Sequence, residues 1–311
     1  MTVAYITHPN CLDHRMGPHH PEGPERLRAI QDRLVSSGLE FLLSHFDAPL
    51  VHYDQLVRAH DPAYIRRLEA AAPDHDNDRL HWLDGDTALS HHTLPAAFRS
   101  AGAAVLATDL VMGEKVRAAF ACTRPPGHHA TRNQAMGFCF FNNLAIAAYH
   151  ALDHHGLDRV AIVDFDVHHG NGTEDIVAGD QRILFCSSFE HPFYPYSGAD
   201  STAPNVINLP LPAGTDGSAF RRAVEDRWLP RLDEFAPGMI LISAGFDGHL
   251  EDQMAHFRLR EPDYAWITAQ LVKLADRHAA GRIVSCLEGG YELSSLGRSV
   301  NVHLDELIGH P

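Results

Sequence analysis

The sequence predicts an α/β fold in which a central, mostly parallel β-sheet carries helices on both of its faces. Short runs of apolar residues alternate along the chain with longer stretches of helical periodicity, an order that is typical of parallel sheets with crossover helices. Several of the short runs are almost continuously apolar, as expected for strands that are buried on both faces. No repeat, low-complexity tract or linker divides the 311 residues, so we expect one domain over residues 1–311.

Six segments carry the strand signal, because each is short, apolar and bounded by turn-forming or charged residues. The predicted strands are Val3–Thr7, Ala118–Cys122, Val160–Asp164, Ile183–Ser187, Met239–Ser243 and Ile283–Leu287. All of them are short enough to be strands rather than buried helices.

Helical segments lie between the strands, and two of them have recognisable ends. Pro24 begins a periodic stretch that Gly38 can end, and Asp61-Pro62 forms an N-cap and first-turn pair. The longer predicted helices are Thr93–Met112, Asp216–Phe235, Pro262–Ala280 and Leu293–Ile308.

The composition is that of an acidic globular protein with many histidines. Hydrophobic residues make up 45% and charged residues 21% of the chain, which excludes a disordered or collagen-like protein. The formal net charge of −15 argues against direct binding to nucleic acid, which requires a basic surface. Of the 24 histidines, we interpret the pairs His19-His20, His91-His92 and His154-His155 as surface residues.

The sequence also predicts a cytoplasmic protein that does not enter a membrane. The N-terminal segment lacks a cationic stretch followed by an apolar one, and no apolar run approaches the about 18 residues of a membrane span. The five cysteines are far apart and form no CxxC pair, which favours free thiols in a reducing compartment over disulfides or a structural zinc site.

Four of the predicted strands are followed at once by an unusual polar segment. In an open parallel sheet the carboxyl ends of the strands share one edge, where ligand sites form. We therefore expect these segments to converge although they are distant in sequence. They are Thr123–His129, Phe165–Gly172, Ala244–Gly248 and Glu288–Tyr291.

Two of these segments supply a candidate metal site. Asp166 and His168 are two residues apart in an extended segment, so their side chains leave the same side of the backbone. Asp247 follows another strand. One imidazole and two carboxylates leave at least one coordination position open, which is typical of a catalytic rather than a structural transition-metal site. The alternative is that the three residues are polar groups of turns and a helix cap.

The tandem imidazoles His128 and His129 follow a Pro-Pro-Gly turn. Two imidazoles beside a metal can supply a general base for water and a general acid for the leaving group. Each requires a partner that sets its tautomer, and Asp164 and Asn171 are the local candidates. A surface histidine pair is the alternative.

Tyr291 follows two glycines at the end of the last predicted strand. A phenol at that position could approach a reacting carbonyl group and donate a hydrogen bond to the developing oxyanion. The alternative is a packing aromatic residue in a glycine turn.

Other catalytic and binding motifs do not fit. Read as a calcium-binding loop that begins at Asp164, the chain has His169 and Asp175 where glycine and glutamate are needed. Gly170-x-Gly172 lacks the third glycine of a dinucleotide-binding motif. The sequence contains no P-loop, HExxH or GxSxG motif, which weakens nucleotide-binding and serine-hydrolase interpretations.

Taken together, the motifs resemble those of the zinc-dependent histone deacetylase and acetylpolyamine amidohydrolase superfamily, which has an arginase-like α/β fold. They keep the order of the family and span nearly the whole chain. Asn171, where the class I enzymes have aspartate, makes the chain similar to the class II branch and its bacterial relatives. The matching segments are Gly17–Leu27, RPPGHHA (Arg124–Ala130), MGFCFFNN (Met136–Asn143), VDFDVHHGNGT (Val163–Thr173), SAGFDGH (Ser243–His249) and LEGGY (Leu287–Tyr291).

The resemblance implies a zinc-dependent amidohydrolase that removes an acetyl or short acyl group from an amine by attack of zinc-bound water. It implies one Zn²⁺ ion bound by Asp166, His168 and Asp247. It further implies that His128 and His129 are a general base and acid and that Tyr291 polarises the carbonyl group.

The resemblance also implies a structural K⁺ ion behind the zinc. Asp164 would be one of its ligands, together with backbone oxygens of Asp166 and His168. A serine from Ser187-Ser188 would be another, and the register between these two stays open. Asn171 would act beside these residues as the partner of the tandem imidazoles.

An apolar tunnel for the stem of an acyl-lysine is implied as well. Its walls would be Gly137, Phe138 and an aromatic residue from Phe193-Tyr194, and Asp86 would be a rim carboxylate that binds the substrate backbone. The best register places Met254 at the gate, where deacetylases that prefer acetylpolyamines have an acidic residue.

An apolar gate favours acetyl-lysine in a peptide or protein as the substrate, whereas the nearby Glu251 and Asp252 keep an acetylpolyamine deacetylase as an alternative. A non-catalytic acyl-lysine binding module of the same fold is an alternative of another class. Such a module would be expected to lack Tyr291, the tandem histidines or a metal ligand, and all of these are present.

Overall fold

The β-strands of the fold position the segments that carry the predicted site residues. The structure, a computed structural model, describes residues 2–75 and 79–309. Residues 1, 76–78, 310 and 311 of the predicted domain 1–311 lie outside the described residues. In chain order the strands are β1 (Val3–Thr7), β2 (Leu43–Asp47), β3 (His81–Trp82), β4 (Ala88–Leu89), β5 (Ala118–Ala121), β6 (Val160–Asp164), β7 (Ile183–Glu190), β8 (Val206–Leu211), β9 (Ile240–Ala244) and β10 (Ile283–Leu287).

The helices alternate with these strands. They are α1 (Asn10–Asp13), α2 (Glu25–Ser37), α3 (Tyr53–Ala59), α4 (Pro62–Ala71), α5 (Thr93–Met112), α6 (Asn143–Asp153), α7 (Asn171–Val177), α8 (Gly217–Ala223), α9 (Leu229–Phe235), α10 (Glu261–His278) and α11 (Leu293–Ile308). A 3₁₀ turn at Leu39–Leu42 precedes β2, and a π-helical turn at Val224–Trp228 joins α8 to α9.

One eight-stranded sheet forms the centre of the fold, in the order β2-β1-β5-β10-β9-β6-β7-β8. Every neighbouring pair in it is parallel, and only the short β3–β4 ribbon of the described residues is antiparallel. The predicted α/β class with a mostly parallel sheet is thus confirmed. The four strands that precede the polar segments, β5, β10, β9 and β6, are consecutive in this order. Their carboxyl ends therefore lie side by side.

Each face of the sheet carries its own hydrophobic core, because successive side chains of a strand point to opposite faces. In β1, Ala4 and Ile6 pack into one core with α5 and α6. Val3 and Tyr5 pack into the other with α2, α10 and α11. All five cysteines are buried and free.

Four of the ten strands of the described residues, β2, β3, β4 and β8, escape prediction from the sequence. β3 and β4 have only two residues each. The two edge strands, β2 and β8, mix buried positions with partly or fully exposed ones, so they lack the continuous apolar run that identifies the central strands. The prediction of a single α-helix over Asp216–Phe235 is wrong at its middle, where the π-helical turn interrupts it. Pro230 lies in the first turn of α9 and has no N–H to continue the ladder of an α-helix.

Helix α5 is the one helix of the described residues that is long and apolar enough to cross a membrane by length and composition. However, 67% of its most apolar window is buried inside the structure. It packs against α6 and β5, as a core helix of an α/β fold does.

Candidate active site

Three predicted ligands converge at the carboxyl ends of β6 and β9. Asp166, His168 and Asp247 are buried, and each offers one ligand atom such that all three atoms lie within 4.8 Å of one another. His168 Nδ1 is 3.2 Å from Asp166 Oδ1 and 3.2 Å from Asp247 Oδ2. Backbone amides hold the carboxylates in place: Gly289 N donates to Asp166 Oδ2 at 2.8 Å and Val167 N to Asp247 Oδ1 at 3.0 Å.

The two buried carboxylates of this cluster favour the binding of a cation. Burial and the neighbouring Asp166 carboxylate raise the pKa of Asp247 to about 6, because two carboxylates in one buried site repel each other. Burial opposes a charge on His168, but its hydrogen bonds to both carboxylates outweigh that and raise its pKa. One imidazole nitrogen and two carboxylate oxygens are a donor set that suits Zn²⁺ or Fe²⁺. These residues fit the implied metal.

Two glycines let the backbone approach the ligands closely. A Cβ atom on Gly245 would lie 2.0 Å from Asp166 Oδ2, and one on Gly289 would lie 2.0 Å from Asp247 Oδ2. Both distances are far below a van der Waals contact. The two segments that carry these glycines therefore form a backbone cradle around the carboxylates.

His128 lies next to the cluster and bridges two carboxylates. Its Nδ1 is 2.9 Å from Asp164 Oδ2, and its Nε2 is 3.8 Å from Asp166 Oδ2. Burial opposes protonation, but the charges of Asp164 and Asp166 outweigh it and raise the pKa of His128 well above its ordinary value. The two carboxylates therefore favour the protonated form of this imidazole.

The pKa of His129 is shifted in the direction opposite to that of His128. Its Nδ1 is 2.7 Å from Asn171 Oδ1, and its ring centroid is 4.0 Å from that of His128. Burial, together with the charge on His128, lowers the pKa of His129 well below its ordinary value. Because the amide oxygen of Asn171 accepts the Nδ1 proton, Nε2 of the neutral ring keeps its lone pair.

A cavity of about 200 Å³ opens on to these residues. The structure brings together the predicted tunnel and rim residues, one metal ligand, one of the tandem histidines and the predicted tyrosine. The residues that line it are Asp86, His129, Gly137, Phe138, His168, Phe193, Tyr194, Met254 and Tyr291.

Aromatic rings form the walls of the cavity. Phe193 stacks on His168 at a centroid distance of 5.7 Å, and Phe138 meets the ring of Tyr291 edge-on at 5.9 Å. Gly137 has a φ of 55°, and a Cβ there would lie 2.4 Å from the ring of His129. Only glycine lets this wall pass so close to the imidazole.

The turn that carries Tyr291 is held by residues that the sequence analysis missed. Asp252 Oδ2 accepts hydrogen bonds from the amides of Tyr291 and Glu292 at 2.6 and 3.0 Å. The guanidinium of Arg26 lies 4.9 Å from the centroid of the Tyr291 ring, and its Nε donates to Gly290 O at 2.6 Å. Burial is the main reason that the pKa of Tyr291 is well above its ordinary value, so the phenol keeps its proton.

A buried ionic network joins the turn that carries Tyr291 to the segment before α2 and to α2 itself. Arg124 donates to both carboxylate oxygens of Glu22, at 2.5 and 2.7 Å, and Arg26 donates to the same carboxylate at 3.1 Å. Glu288 Oε2 accepts from the amides of Gly127 and His128 at 2.7 and 3.1 Å. These charged residues lie inside the motif segments Gly17–Leu27, Arg124–Ala130 and Leu287–Tyr291, but the motifs do not indicate which of them pair.

The residues predicted around the second cation lie behind the ligand cluster. Asp164 is paired with Ser187 in the register of β6 and β7. Ser187 Oγ is 3.0 Å from His169 Nδ1. Ser188 Oγ is buried and has no hydrogen-bond partner among the described residues.

Two of the histidine pairs interpreted as surface residues have contacts that this interpretation does not include, although His19 and His154 are exposed. His19 is exposed, but His20 contacts the tunnel wall: its Nε2 is 3.0 Å from Asp86 O, and its ring lies 4.6 Å from that of Phe138. His154-His155 joins a second cluster with a buried histidine, His150. Asp86 is distant in sequence from His20, and Asp109, the carboxylate of the second cluster, is distant from His155, so neither pair alone indicates these contacts.

The comparisons with known proteins agree with this geometry. Residues 20–307 match the histone deacetylase domain family. The chain is 35% identical to a histone deacetylase-like amidohydrolase of Pseudomonas aeruginosa, over 93% of this chain and 81% of that one. It is 37% identical to polyamine deacetylase HDAC10 of Mus musculus, over 100% of this chain and 49% of the mouse protein.

A solved structure is similar over nearly the whole length. The crystal structure of the HDA15 HD domain matches with a TM-score of 0.91 and 30% identity, covering 99% of this chain and 88% of that one. The match is therefore one of fold, of sequence and of length. The resemblance seen in the motifs is confirmed, and the chain belongs to the histone deacetylase family.

Proposed function

We propose that this protein is a metal-dependent deacetylase that removes acetyl or short acyl groups from lysine side chains of peptides or proteins. Membership of a deacetylase family supports a hydrolase. The observation that carries the finer proposal is the cavity of about 200 Å³, which has aromatic walls, is lined by the apolar Met254 and reaches His129, His168 and Tyr291.

Asp166, His168 and Asp247 would hold the metal, Zn²⁺ in this proposal. When bound, Zn²⁺ supplies Lewis acidity toward a carbonyl group and lowers the pKa of water. The three residues orient it through the amide hydrogen bonds that fix their carboxylates. The walls of the tunnel exclude bulk water and direct an amide toward the cluster.

The two histidines divide the proton chemistry. His129 is neutral, so its Nε2 accepts the proton of the attacking water. His128 carries its charge between Asp164 and Asp166 and stabilises the negative charge that develops nearby. The proton on His129 then passes to the nitrogen of the leaving amine, while the phenol of Tyr291 donates a hydrogen bond to the carbonyl oxygen.

We also propose a structural K⁺ ion beside Asp164. The backbone oxygens of Asp166 and His168 would be further ligands. The register that pairs Asp164 with Ser187 favours Ser187 over Ser188 as the serine ligand. Oxygen-only coordination of this kind suits a hard cation.

The acidic residues near the gate do not favour a polyamine. Both carboxylate oxygens of Glu251 are 2.8 Å from Arg298 Nη2, and Asp252 accepts hydrogen bonds from three backbone amides. Each carboxylate thus already has partners within the protein, Arg298 for Glu251 and the backbone of the Tyr291 turn for Asp252. Met254, which lines the cavity, offers only an apolar surface at the gate.

The experiment compares kcat/KM for an acetyl-lysine peptide and for acetylputrescine. We expect preference for the peptide, loss of activity with a chelator and recovery on addition of Zn²⁺. Met254→Glu should shift the preference toward acetylputrescine by at least about tenfold, because it places a carboxylate next to the second amine. The matched control is Met112→Glu, at the end of α5 and outside the cavity.

The outcomes separate the alternatives. A hundredfold preference of the unaltered protein for acetylputrescine would identify an acetylpolyamine deacetylase. Binding of an acetyl-lysine peptide without turnover, at saturating Zn²⁺, would instead identify a non-catalytic binding module.

A further inference from the structure

A second cluster of metal-binding side chains lies at the ends of α5 and α6, distinct from the candidate active site. It consists of Asp109, His150, His154 and His155. One potential ligand atom from each residue lies within 4.8 Å of the corresponding atoms of the other three. We define these four residues as the helix-end cluster.

Helix α6 and its C-cap provide the three histidines. His150 and His154 are four residues apart, which places two imidazoles on one face of a helix at a spacing that binds metals. The amides of His154 and His155 both donate to His150 O, at 3.0 and 3.3 Å. The chain therefore turns at the end of the helix and brings the imidazole of His155 next to those of His150 and His154. The carbonyl groups at a helix C-terminus also favour a cation nearby.

Helix α5 provides the carboxylate. Asp109 Oδ1 is 2.8 Å from His150 Nε2 and 2.7 Å from His155 Nε2. The ring of His154 completes the group, with centroids 4.6 Å from His150 and 4.9 Å from His155. Four ligands around Zn²⁺ at about 2.0 Å stand about 3.3 Å apart, so a small outward movement of these atoms would admit the ion.

One ligand of the helix-end cluster is buried, and the other three are accessible to solvent. His150 is 3% exposed and is packed in the core side of α6, whereas His154 is exposed and Asp109 and His155 are partly exposed. A metal can therefore enter from solvent without unfolding the helices. The guanidinium of Arg58 is 3.4 Å from His150 Nδ1 and 3.8 Å from Asp54 Oδ2. It can therefore pair with Asp54 when His150 binds a metal through Nε2 and keeps its proton on Nδ1.

We propose that the helix-end cluster is a second metal-binding site, which binds Zn²⁺ or a similar late first-row divalent ion and cross-links the C-terminal ends of α5 and α6. Three imidazoles and one carboxylate supply four protein ligands, and such closed sites are structural rather than catalytic. The ion would stabilise the fold by binding only the folded state.

The test counts Zn²⁺ bound per chain by equilibrium dialysis and metal analysis. The unaltered protein should bind one equivalent more than His154→Ala/His155→Ala, and Zn²⁺ should raise its Tm by a few degrees more than that of the variant. These two histidines are at the surface, so the variant should fold and keep its deacetylase activity. Asp109→Asn should weaken the additional equivalent by roughly tenfold or more.

The matched control is His91→Ala/His92→Ala, which also removes two adjacent imidazoles but should retain the additional equivalent. The proposal is overturned if the double variant at His154 and His155 binds as much Zn²⁺ as the unaltered protein. It is also overturned if the control loses the same equivalent, which would indicate adventitious binding by surface histidines. Because the result is a difference between variants, it does not depend on occupancy of the candidate active site.

Discussion

Adjacent histidines acquire opposite properties from the partners that the fold gives them. The charges of Asp164 and Asp166 outweigh burial and raise the pKa of His128, whereas burial and the charge of His128 lower the pKa of His129. The neutral amide of Asn171 fixes the tautomer of His129 without adding a negative charge. A carboxylate in place of Asn171 would favour protonation of His129, whereas the neutral amide leaves burial and the charge of His128 to lower its pKa.

At this scale we predict that Tyr291→Phe lowers kcat by about 10²–10³-fold, because it removes one donor to the developing oxyanion. The tyrosine is not one of the three metal ligands, so the Zn²⁺ content should stay unchanged. Steady-state kinetics with an acetyl-lysine peptide and metal analysis check both statements. Tyr53→Phe, at a half-exposed tyrosine of α3, is the control. Near-normal turnover of the Tyr291 variant would contradict the assigned role.

The sequence allowed prediction of the candidate reactive residues and of Asp164 and Asn171, which contact the tandem histidines, but not of the residues that hold the turn of Tyr291. Aspartate, histidine and tyrosine at strand ends are recognisable because their chemistry is specific. Arg26 and Asp252 act through contacts with the backbone and ring of Tyr291, which no local pattern reveals. For the same reason, the contacts of His20 with Asp86 and of His155 with Asp109 are not visible in the histidine pairs themselves.

At the scale of elements, the turns after β9 and β10 form the backbone cradle around the carboxylates of the proposed metal ligands. Gly245 and Gly289 place bare backbone against Asp166 and Asp247. The amide of Gly289 donates a hydrogen bond to Asp166 as well. Turn conformation and ligand position are therefore coupled, and a methyl group in the turn displaces a ligand.

We predict that Gly289→Ala weakens Zn²⁺ binding at the active site by at least about tenfold, since its Cβ would lie 2.0 Å from Asp247 Oδ2 and overlap it. Competition with a chelator measures this affinity. Gly85→Ala, where a Cβ has no neighbour within 4 Å, should keep it. Unchanged affinity in the Gly289 variant, with a native circular dichroism spectrum, would contradict the cradle.

The elements themselves differ in how far the sequence predicts them. Central strands are buried on both faces and show as apolar runs, whereas the edge strands β2 and β8 mix exposed and buried positions. These two segments form strands because they pair with β1 and β7, and such long-range contacts are not visible in the local sequence. Likewise, the π-helical turn before α9 depends on how that segment is accommodated against β8, where Trp228 Nε1 donates to Ile207 O at 3.0 Å.

At the scale of the whole molecule, buried neutral histidines tie stability to pH. Burial lowers the pKa of His14 and His303 to about 3 and that of His60 to about 4. Their pKa in the unfolded chain is about 6.5, so below that pH the unfolded state binds more protons than the folded state. The stability that these residues contribute is present above pH 6.5 and is lost progressively as the pH falls toward 4.

His303 offers the cleanest test of this dependence. Its Nδ1 donates to Thr268 Oγ1 at 2.7 Å, because that hydroxyl donates to Tyr264 O, and Ser285 Oγ donates to its Nε2 at 2.9 Å. Glutamine can both donate and accept but does not titrate. We predict that His303→Gln reduces the slope of the unfolding free energy between pH 6 and pH 5 by up to about 1.4 kcal/mol per pH unit.

Urea unfolding at several pH values, under identical metal conditions for both proteins, measures this slope. His81→Gln, at an exposed histidine of β3, should leave it unchanged. Equal slopes for the His303 variant and the unaltered protein would show that His303 does not contribute to acid lability.

The order of the strands also has a kinetic consequence. His168 and Asp247 are 79 residues apart in the chain, and they meet only when β6 and β9 pair in register. Parallel pairing over such separations is slow, because the entropy of closing a long loop is paid before the contacts form. High-affinity metal binding at the active site should therefore arise late during folding, after the centre of the sheet has assembled, and a newly made chain would remain unreactive until then.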